Sequence, residues 1–168
     1  MDVPVFLILG SNIHPEQNLP TALGLLRART QVERVSRFYK SLALGKQGER
    51  LDQNYYLNAA VLLRIAPDTD PASFKSDVLR PLERLMGRLD NPDKYAPRPI
   101  DLDIALFGDT VIAPHLPDPE IYTRAYKALP LADIGPTFAH PVTGELLSDI
   151  AVRFAGAAGI LDVYDPPR

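Results

Sequence analysis

Two aspartates, Asp101 and Asp103, lie in the stretch RPIDLDIALFGD (98–109), where apolar and acidic residues alternate. A period of two is that of a β-strand, so both carboxylates lie on one face, about 7 Å apart along the chain, and the intervening apolar side chains point the other way. Mg²⁺ prefers hard oxygen ligands and commonly takes one or two protein carboxylates together with phosphate oxygens and water. The spacing therefore predicts a strand that packs on the core and holds a metal. An ordinary half-exposed strand is the alternative that this pattern alone leaves open.

Arginines near this strand are suited to binding phosphate. Arg98 precedes Asp101 by three residues, and Arg88 and Arg124 are further candidates. A guanidinium group presents a planar fork of donors that matches two phosphate oxygens. Each arginine taken alone is more commonly a solvated surface residue. Together with a metal strand, the three indicate a site for a phosphorylated ligand.

Other common catalytic patterns are missing from the sequence. Neither G-x-x-x-x-G-K-[ST] nor G-x-G-x-x-G occurs, so a nucleotide would be held without a glycine-rich phosphate loop. The three histidines lack metal-ligand spacing and read as loop residues, and there is no cysteine. No Ser/His/Asp or Cys/His arrangement stands out. The sequence therefore offers none of these common arrangements for nucleophilic catalysis.

The composition is that of a globular domain. The chain has 168 residues, 46% hydrophobic and 23% charged, a length that fits one domain. A formal net charge of -3 provides no global positive field, so we expect neither nucleic acid nor a membrane as a partner. The lack of cysteine suits a reducing cytoplasm. We expect a single domain over 1–168 that acts as a cytoplasmic monomer, with 156–168 as a loose tail.

Hydrophobic periodicity predicts the element order β-α-β-β-α-β. This order is that of a split βαβ, ferredoxin-like α+β sandwich, in which helices cover one face of a mainly antiparallel sheet and the other face is left for ligands. Pro81 should bend or divide the second helix near Arg80. The predicted strands are 5–9, 32–39, 55–65 and the acidic stretch 98–109, and the predicted helices are 15–29 and 70–86.

The last third of the chain carries weaker signals. A short strand is expected at 111–112, after the turn that follows Phe107. A further helix is expected over 122–131, ended by Gly135 and Pro136. The remainder is expected to add a C-terminal helical or hairpin extension.

Taken together, these motifs resemble the 6-hydroxymethyl-7,8-dihydropterin pyrophosphokinase family. The resemblance runs in order and spacing through about residues 5–136. It is carried by Gly10-Ser11-Asn12, YLNAAV at 56–61, Gly87-Arg88, APRPIDLDI at 96–104 and Arg124.

The resemblance implies a cytoplasmic, Mg²⁺-dependent transferase of folate biosynthesis with a ferredoxin-like fold. Such an enzyme transfers the β,γ-pyrophosphate of ATP to the hydroxymethyl group of the dihydropterin and releases AMP, with two Mg²⁺ ions and ATP as co-substrate. By the same resemblance, Asp101 and Asp103 would hold both metals and would be catalytic together with Arg88 and Arg98. The implied ATP-binding residues are Glu83, Arg88, Arg98, Ile104, Asp118 and Arg124, and the implied pterin-binding residues are Leu42, Leu44, Gly45, Tyr56, Asn58, Tyr95 and Tyr126.

The sequence departs from the family pattern on its phosphate side. Asp118 stands six residues before Arg124, where the family usually has a histidine, and the loop 89–96 is less basic than is usual. A divergent paralogue that binds a pterin or nucleotide with altered substrate or little turnover is therefore an alternative hypothesis. A ferredoxin-like interaction domain is a third.

Overall fold

The longest strands of the chain lie side by side at the centre of one sheet. In the computed structural model, which describes residues 1–168, β1 (Val3–Ser11) pairs with β4 (Tyr56–Ile65) along its whole length. Both are nearly continuous apolar runs, because a central strand covered on both faces buries all of its side chains. The other strands are β2 (Gln31–Val35), β3 (Phe38–Ser41), β5 (Asp101–Phe107) and β6 (Ile160–Tyr164).

All strand pairs in this six-stranded sheet are antiparallel. The order is β5-β1-β4-β3-β6, and β2 pairs with the far end of β4 beyond β3. The acidic strand β5 is therefore an edge strand beside β1. This arrangement agrees with the predicted ferredoxin-like α+β class.

The helices are short except for the first. They are α1 (Pro15–Arg29), α2 (Pro71–Phe74), α3 (Arg80–Leu85), α4 (Ala125–Ile134) and α5 (Leu147–Val152), with a π-helical segment at Lys75–Leu79 and a 3₁₀ helix at Pro119–Tyr122. None of them combines the length and the apolar character needed to cross a membrane.

Two apolar cores lie on opposite faces of the sheet. On the first face, α1 and the α2–α3 segment pack on alternate residues of β1, β4 and β5, in a cluster of 19 buried residues that includes Leu7, Leu9 and Leu102. On the second face, α4 and α5 cover a cluster of 12 that includes Phe6 and Ala60. The expectation that helices occupy only one face is wrong, because the central strands are apolar on both sides. Only the part of the second face that α4 leaves uncovered is open to a ligand.

The predicted strand over 32–39 is two strands. Ser36 interrupts it: its backbone N–H donates to Ala60 O at 2.9 Å, and its Oγ accepts from Ala60 N at 2.8 Å while donating to Arg37 O. The side chain thereby replaces one rung of the ladder and redirects the chain. β2 and β3 then contact successive portions of β4.

The expectation of a loose tail at 156–168 is wrong for its central residues. β6 pairs with β3 from Phe38 opposite Tyr164 to Ser41 opposite Ile160, and forms the outer strand of the sheet. Residues 156–159 before β6 and 165–168 after it lie outside any helix or strand. The periodic signal was weak because β6 is half exposed along its whole length.

The predicted interruption of the second helix near Arg80 is confirmed: Pro81 takes a first-turn position of α3, directly after the π-helical segment. Two other boundaries differ from the prediction. The helix expected over 122–131 begins later, because Asp118 caps the preceding 3₁₀ helix by accepting from Glu120 N at 2.9 Å. The short return strand is reduced to one bridge between Ile112 and Leu116.

Candidate active site

An open cleft of about 630 Å³ lies on the second face of the sheet, beside the start of α4. Most of the residues that the sequence predicted for the site line it, although they come from five separate stretches of chain. These are Leu42, Leu44, Tyr56, Asn58, Arg88, Tyr95, Arg98, Asp101, Asp103, Ile104, Asp118 and Tyr126.

The floor of the cleft is a row of residues that crosses three strands. Gly10 on β1 stands opposite Asn58 on β4 and opposite Asp101 on β5, and the next inward position, Ile8, stands opposite Asp103. A Cβ atom at Gly10 would come within 3.2 Å of Asn58 Oδ1. Because Gly10 has no side chain, it leaves open space between the amide of Asn58 and the carboxylate of Asp101.

Each strand carboxylate is neutralised by its own cations. Asp101 Oδ1 lies 2.5 Å from Arg88 Nη1, and Asp101 Oδ2 lies 3.2 Å from Arg98 Nη1. Asp103 Oδ1 lies 3.2 Å from the ammonium of Lys75, which also donates to Leu102 O. Arg88 and Arg98, which the sequence predicted to bind phosphate, are thus paired with Asp101, which it predicted to bind a metal.

The two carboxyl groups differ in acidity. Desolvation in the cleft, together with the adjacent charge of Asp103, raises the pKa of Asp101 to about 6 against the opposing effect of Arg98 and Arg88. Desolvation acts on Asp103 as well, but Lys75 and Lys127 outweigh it and lower the pKa of that carboxyl. Both groups are therefore mainly ionised at neutral pH, as metal ligands must be.

Glu83 does not line this cleft, although the sequence predicted it for the site. Its buried carboxylate accepts from Leu102 N at 2.8 Å and from Arg88 Nη1 at 2.5 Å, so it ties α3 to β5 and orients the arginine. Glu83 also borders a second cleft of about 440 Å³, lined only by charged residues, which Asp101 and Asp103 border as well.

The other end of the main cleft is suited to a flat, partly polar molecule. Asn58 is buried, and its Nδ2 donates to Ser41 Oγ at 2.7 Å and to Tyr39 O at 3.3 Å, which leaves its carbonyl oxygen toward Gly10. The rings of Tyr56 and Tyr126 line the same cavity. Burial raises the pKa of Tyr126 to about 12, so its hydroxyl stays protonated.

Two predicted residues bind each other outside the cleft. Arg124, the residue before α4, donates from Nη2 to Gly45 O at 2.9 Å and to Lys46 O at 3.3 Å. In this conformation its guanidinium group holds the loop after β3 against the start of α4, and neither Arg124 nor Gly45 contributes to the lining.

Three of the polar residues that sequence reasoning missed hold parts of the site in place. Lys75 is one, and Lys127 is another: the latter binds Asp118 and Glu120 across the cleft wall. Lys127 was detectable in principle as a charged residue among the apolar positions of a helix. Gln53 is the third; its Nε2 donates to Tyr95 O at 2.7 Å, and its Oε1 accepts from Asn12 Nδ2 at 3.1 Å, so it joins the segment after β1 to the loop that carries Tyr95.

The donor set fits a magnesium ion that shares its coordination with phosphate. No group of three or more His, Asp or Glu side chains converges in the structure, so the protein does not offer a full set of metal ligands. Two carboxylates on one face of a strand, with water and phosphate oxygens completing an octahedron, is the arrangement that Mg²⁺ commonly takes. Asp101 and Asp103 meet that requirement.

Comparison with known proteins places the chain in one family. The model of 7,8-dihydro-6-hydroxymethylpterin-pyrophosphokinase (HPPK) matches residues 6–136. The 2-amino-4-hydroxy-6-hydroxymethyldihydropteridine pyrophosphokinase of Synechocystis is 32% identical over 145 residues, 83% of this chain and 70% of that protein. The protein of the same name from Porphyromonas gingivalis is 33% identical over 145 residues, 82% of this chain and 93% of its own length.

Solved structures support the same assignment at the level of the fold. The wild-type HPPK-DHPS chain of Plasmodium falciparum superposes with a TM-score of 0.70 over 92% of this chain, at 16% sequence identity. The present chain spans only 45% of that longer one. The likeness confirms the ferredoxin-like fold. Because the family model covers most of the chain and the named relatives, at 32% and 33% identity, align with 83% and 82% of it, the protein belongs to the 7,8-dihydro-6-hydroxymethylpterin-pyrophosphokinase family.

Proposed function

We propose that this protein transfers the pyrophosphoryl group of ATP to the hydroxymethyl group of 6-hydroxymethyl-7,8-dihydropterin, with release of AMP, as a step of folate biosynthesis. The family assignment supports an ATP-dependent transferase of this kind. The observation that carries the proposal is the row Asn58–Gly10–Asp101, which joins a pocket for a flat heterocycle to a cluster of carboxylates and guanidinium groups.

The pterin would occupy the end of the cleft that holds Asn58. A flat heterocycle gains stability from aromatic faces, here Tyr56 and Tyr126, and from hydrogen bonds to its polar edge. The carbonyl oxygen of Asn58 is suited to accept from an N–H of that edge, because its own Nδ2 is already held by Ser41. This orientation would direct the hydroxymethyl group along the floor toward Asp101.

The phosphates of ATP would lie at the other end, against Arg88 and Arg98. The two guanidinium groups now neutralise Asp101. When a triphosphate and its metal enter, they can exchange that carboxylate for phosphate oxygens, and Glu83 would keep Arg88 oriented during the exchange. The metal would then take the place of the guanidinium groups beside Asp101.

Two Mg²⁺ ions would be held by Asp101 and Asp103. When bound, the metal neutralises negative charge on the phosphate oxygens and thereby favours displacement at phosphorus. In that displacement the pterin hydroxyl oxygen would bond to the β-phosphorus and release its proton to solvent, the bond from that phosphorus to the α,β-bridging oxygen would break, and AMP would leave. The residues of the chain position both reactants, which is the greater part of catalysis in phosphoryl transfer.

Neither alternative hypothesis is favoured by an observation. Relatives that carry the enzyme name align over most of their own length, and the cleft retains both carboxylates and both arginines of its β5 side. A divergent paralogue or an interaction domain would not require that set. We further propose that the enzyme acts as a cytoplasmic monomer on small-molecule substrates.

The activity is tested by incubating the protein with ATP, Mg²⁺ and 6-hydroxymethyl-7,8-dihydropterin and following AMP by chromatography. One AMP should appear for each pyrophosphorylated pterin, and omission of the pterin or chelation of the metal should stop the reaction. Binding of both substrates without AMP release at high enzyme concentration would instead favour the paralogue hypothesis. Binding of neither substrate would favour the interaction domain.

A further inference from the structure

The α4 side of the cleft carries a buried lysine that neither the motifs nor the family resemblance pointed to. Lys127 lies in the first turn of α4, and its side chain is only 9% exposed. Its Nζ lies 2.6 Å from Asp118 Oδ2 and 2.9 Å from Glu120 Oε2. All three residues line the cleft, together with Asp103.

The other cations of the cleft belong to different walls. Arg88 and Arg98 flank Asp101 beside β5, and Lys94 lies on the loop that precedes β5, over the ring of Tyr95. Arg124, which is close to Lys127 in sequence, is directed to the carbonyl groups of another loop. Lys127 is therefore the cation that the α4 wall presents to the cleft.

The contacts of Lys127 leave it capacity for a ligand. An ammonium group has three N–H donors, and two of them meet carboxylates. Of these carboxylates, that of Asp118 is 12% exposed and also caps the 3₁₀ helix, whereas that of Glu120 is 44% exposed. A phosphate oxygen could displace the exposed carboxylate of Glu120, while Asp118 keeps the ammonium group in place.

We propose that Lys127 binds the β- or γ-phosphate of ATP, which AMP lacks, and that Asp118 is a positioning residue that holds the lysine there. Lys127 thus places an ammonium donor on a wall where residue 118 is itself acidic. This inference rests on the proposed pyrophosphokinase function, since it names a phosphate contact of the same cleft. The competing explanation is that the ion pair only joins the 3₁₀ helix to α4.

The test compares ligands that differ in their phosphates. Binding of α,β-methylene-ATP and of AMP, each with Mg²⁺, is measured by calorimetry for the wild type, Lys127→Met and Lys127→Arg. Loss of one charged hydrogen bond to phosphate should weaken binding of the triphosphate analogue about tenfold to a hundredfold in Lys127→Met. AMP and the pterin should bind as in the wild type, and Lys127→Arg should stay within a few-fold. Equal losses for the analogue and AMP, or no loss, would overturn the proposal.

A second variant distinguishes the effect of losing Lys127 from the effect of leaving Asp118 without its cation. In Lys127→Met the carboxylate of Asp118 is left unpaired, and its charge could itself repel phosphate or unfold the chain. The double variant Asp118→Asn/Lys127→Met removes both charges and should show the same selective loss. If the double variant restores wild-type affinity, repulsion by Asp118 explains the effect and Lys127 is not a phosphate ligand.

Arg27→Met serves as the matched control for net charge. Arg27 is exposed on α1, which packs on the opposite face of the sheet, so this variant should bind the analogue as the wild type does. The assay of AMP release keeps the two proposals apart. If the wild type releases no AMP, the proposed function fails. If it turns over normally and Lys127→Met binds the analogue equally well, only the role of Lys127 fails.

Discussion

At the scale of single residues, the two strand carboxylates are held in different ways. Asp101 lies between two guanidinium groups, whereas Asp103 has the single close partner Lys75 and keeps 44% of its side chain exposed. Exposed ion pairs contribute roughly 0–1 kcal/mol to the free energy of unfolding. Asp103 is therefore the carboxylate whose removal best separates catalysis from stability.

Asp103→Asn should abolish metal-dependent turnover and leave the fold intact. We expect AMP release to fall by about a hundredfold or more, because a bound metal contributes several kcal/mol to charge stabilisation in phosphoryl transfer. The melting temperature should change by no more than a few degrees. Asp109→Asn, at an exposed turn position just beyond β5, is the matched control and should retain full activity. Normal turnover by Asp103→Asn would exclude a metal role for this residue.

Gly10 leaves a space beside Asn58 and Tyr56 that a larger residue would fill. Gly10→Ala would place Cβ 3.2 Å from Asn58 Oδ1 and 3.7 Å from the ring of Tyr56. The amide cannot retreat without breaking its hydrogen bond to Ser41, so we expect about tenfold weaker pterin binding, within the usual 1–3 kcal/mol for overpacking. Binding of the ATP analogue should be unchanged, as measured by calorimetry.

The control for that substitution is Gly24→Ala on α1. Nothing lies within 4 Å of the added Cβ atom there, and alanine favours a helix over glycine by about 1 kcal/mol. Gly24→Ala should therefore bind pterin normally and unfold at a slightly higher denaturant concentration. Equal pterin binding by both variants would contradict the packing account of Gly10.

At the scale of elements, the outer strand β6 supports the pterin end of the cleft indirectly. β6 pairs with β3, Leu42 N donates to Gly159 O at 2.9 Å, and the ring of Phe38 packs at 5.9 Å from that of Tyr164. β3 in turn carries the hydroxyl that holds Asn58. The C-terminal strand therefore stabilises residues of the site without contacting the cleft.

Ending the chain after Ala158 should weaken both stability and pterin binding. The lost ladder and aromatic contact should lower the free energy of unfolding by about 2 kcal/mol or more, measured by urea denaturation. The pterin KM should rise, because β3 loses one neighbour. A chain that ends after Tyr164 is the control and should behave as the full chain. Wild-type stability of the shorter chain would show that β6 is dispensable.

The helix that runs from α2 to α3 shows how local irregularity brings a side chain to the site. A π-helical turn at Lys75–Leu79 widens the helix by one residue per turn, and it carries the ammonium that pairs with Asp103. The apolar stripe of the segment, which includes Phe74, Leu79 and Leu82, remains on the first core. Its periodicity predicted the helix correctly but not the wider turn.

At the scale of the whole molecule, the cleft exists because the second face of the sheet is only partly covered. The cores on the two faces hold β1 and β4 rigid, and the site residues lie where α4 begins and β5 starts. Before ligands bind, four cations are paired with carboxylates of the site: Lys75, Arg88, Arg98 and Lys127. Ligand binding should therefore couple to the stability of the entire fold.

Magnesium and α,β-methylene-ATP together should raise the melting temperature. At a ligand concentration about a hundred times Kd, linkage predicts roughly 2.7 kcal/mol of stabilisation, or about 5–10 °C for a chain of this size. With EDTA in place of Mg²⁺ the shift should nearly vanish, since the triphosphate would face the charges of Asp101 and Asp103 unscreened. Scanning calorimetry with and without the metal checks this. An equal shift in EDTA would contradict a metal site at the two aspartates.

Local patterns in the sequence were sufficient for the main framework. The apolar runs of β1 and β4, the alternation of β5 and the stripe of α1 are dictated by residues within each segment, because burial of one face requires a matching period. The same patterns placed Asp101 and Asp103 on one strand face, and the motif set predicted the family that the comparisons confirmed. Weakly periodic segments were less predictable: β6 is half exposed and so lacked a clear pattern.

The tertiary structure alone decided which charges meet. Lys75 reaches Asp103 across 28 positions of the chain, Arg88 reaches Asp101 across 13, and Lys127 closes on Asp118 across a turn between two helices. No period within a segment encodes such pairs, since they depend on how β5, α3 and α4 pack on the sheet. The strand with two aspartates could thus be predicted from the sequence. The cations that pair with its carboxylates, and the lysine that we assign to phosphate, could be identified only in the folded chain.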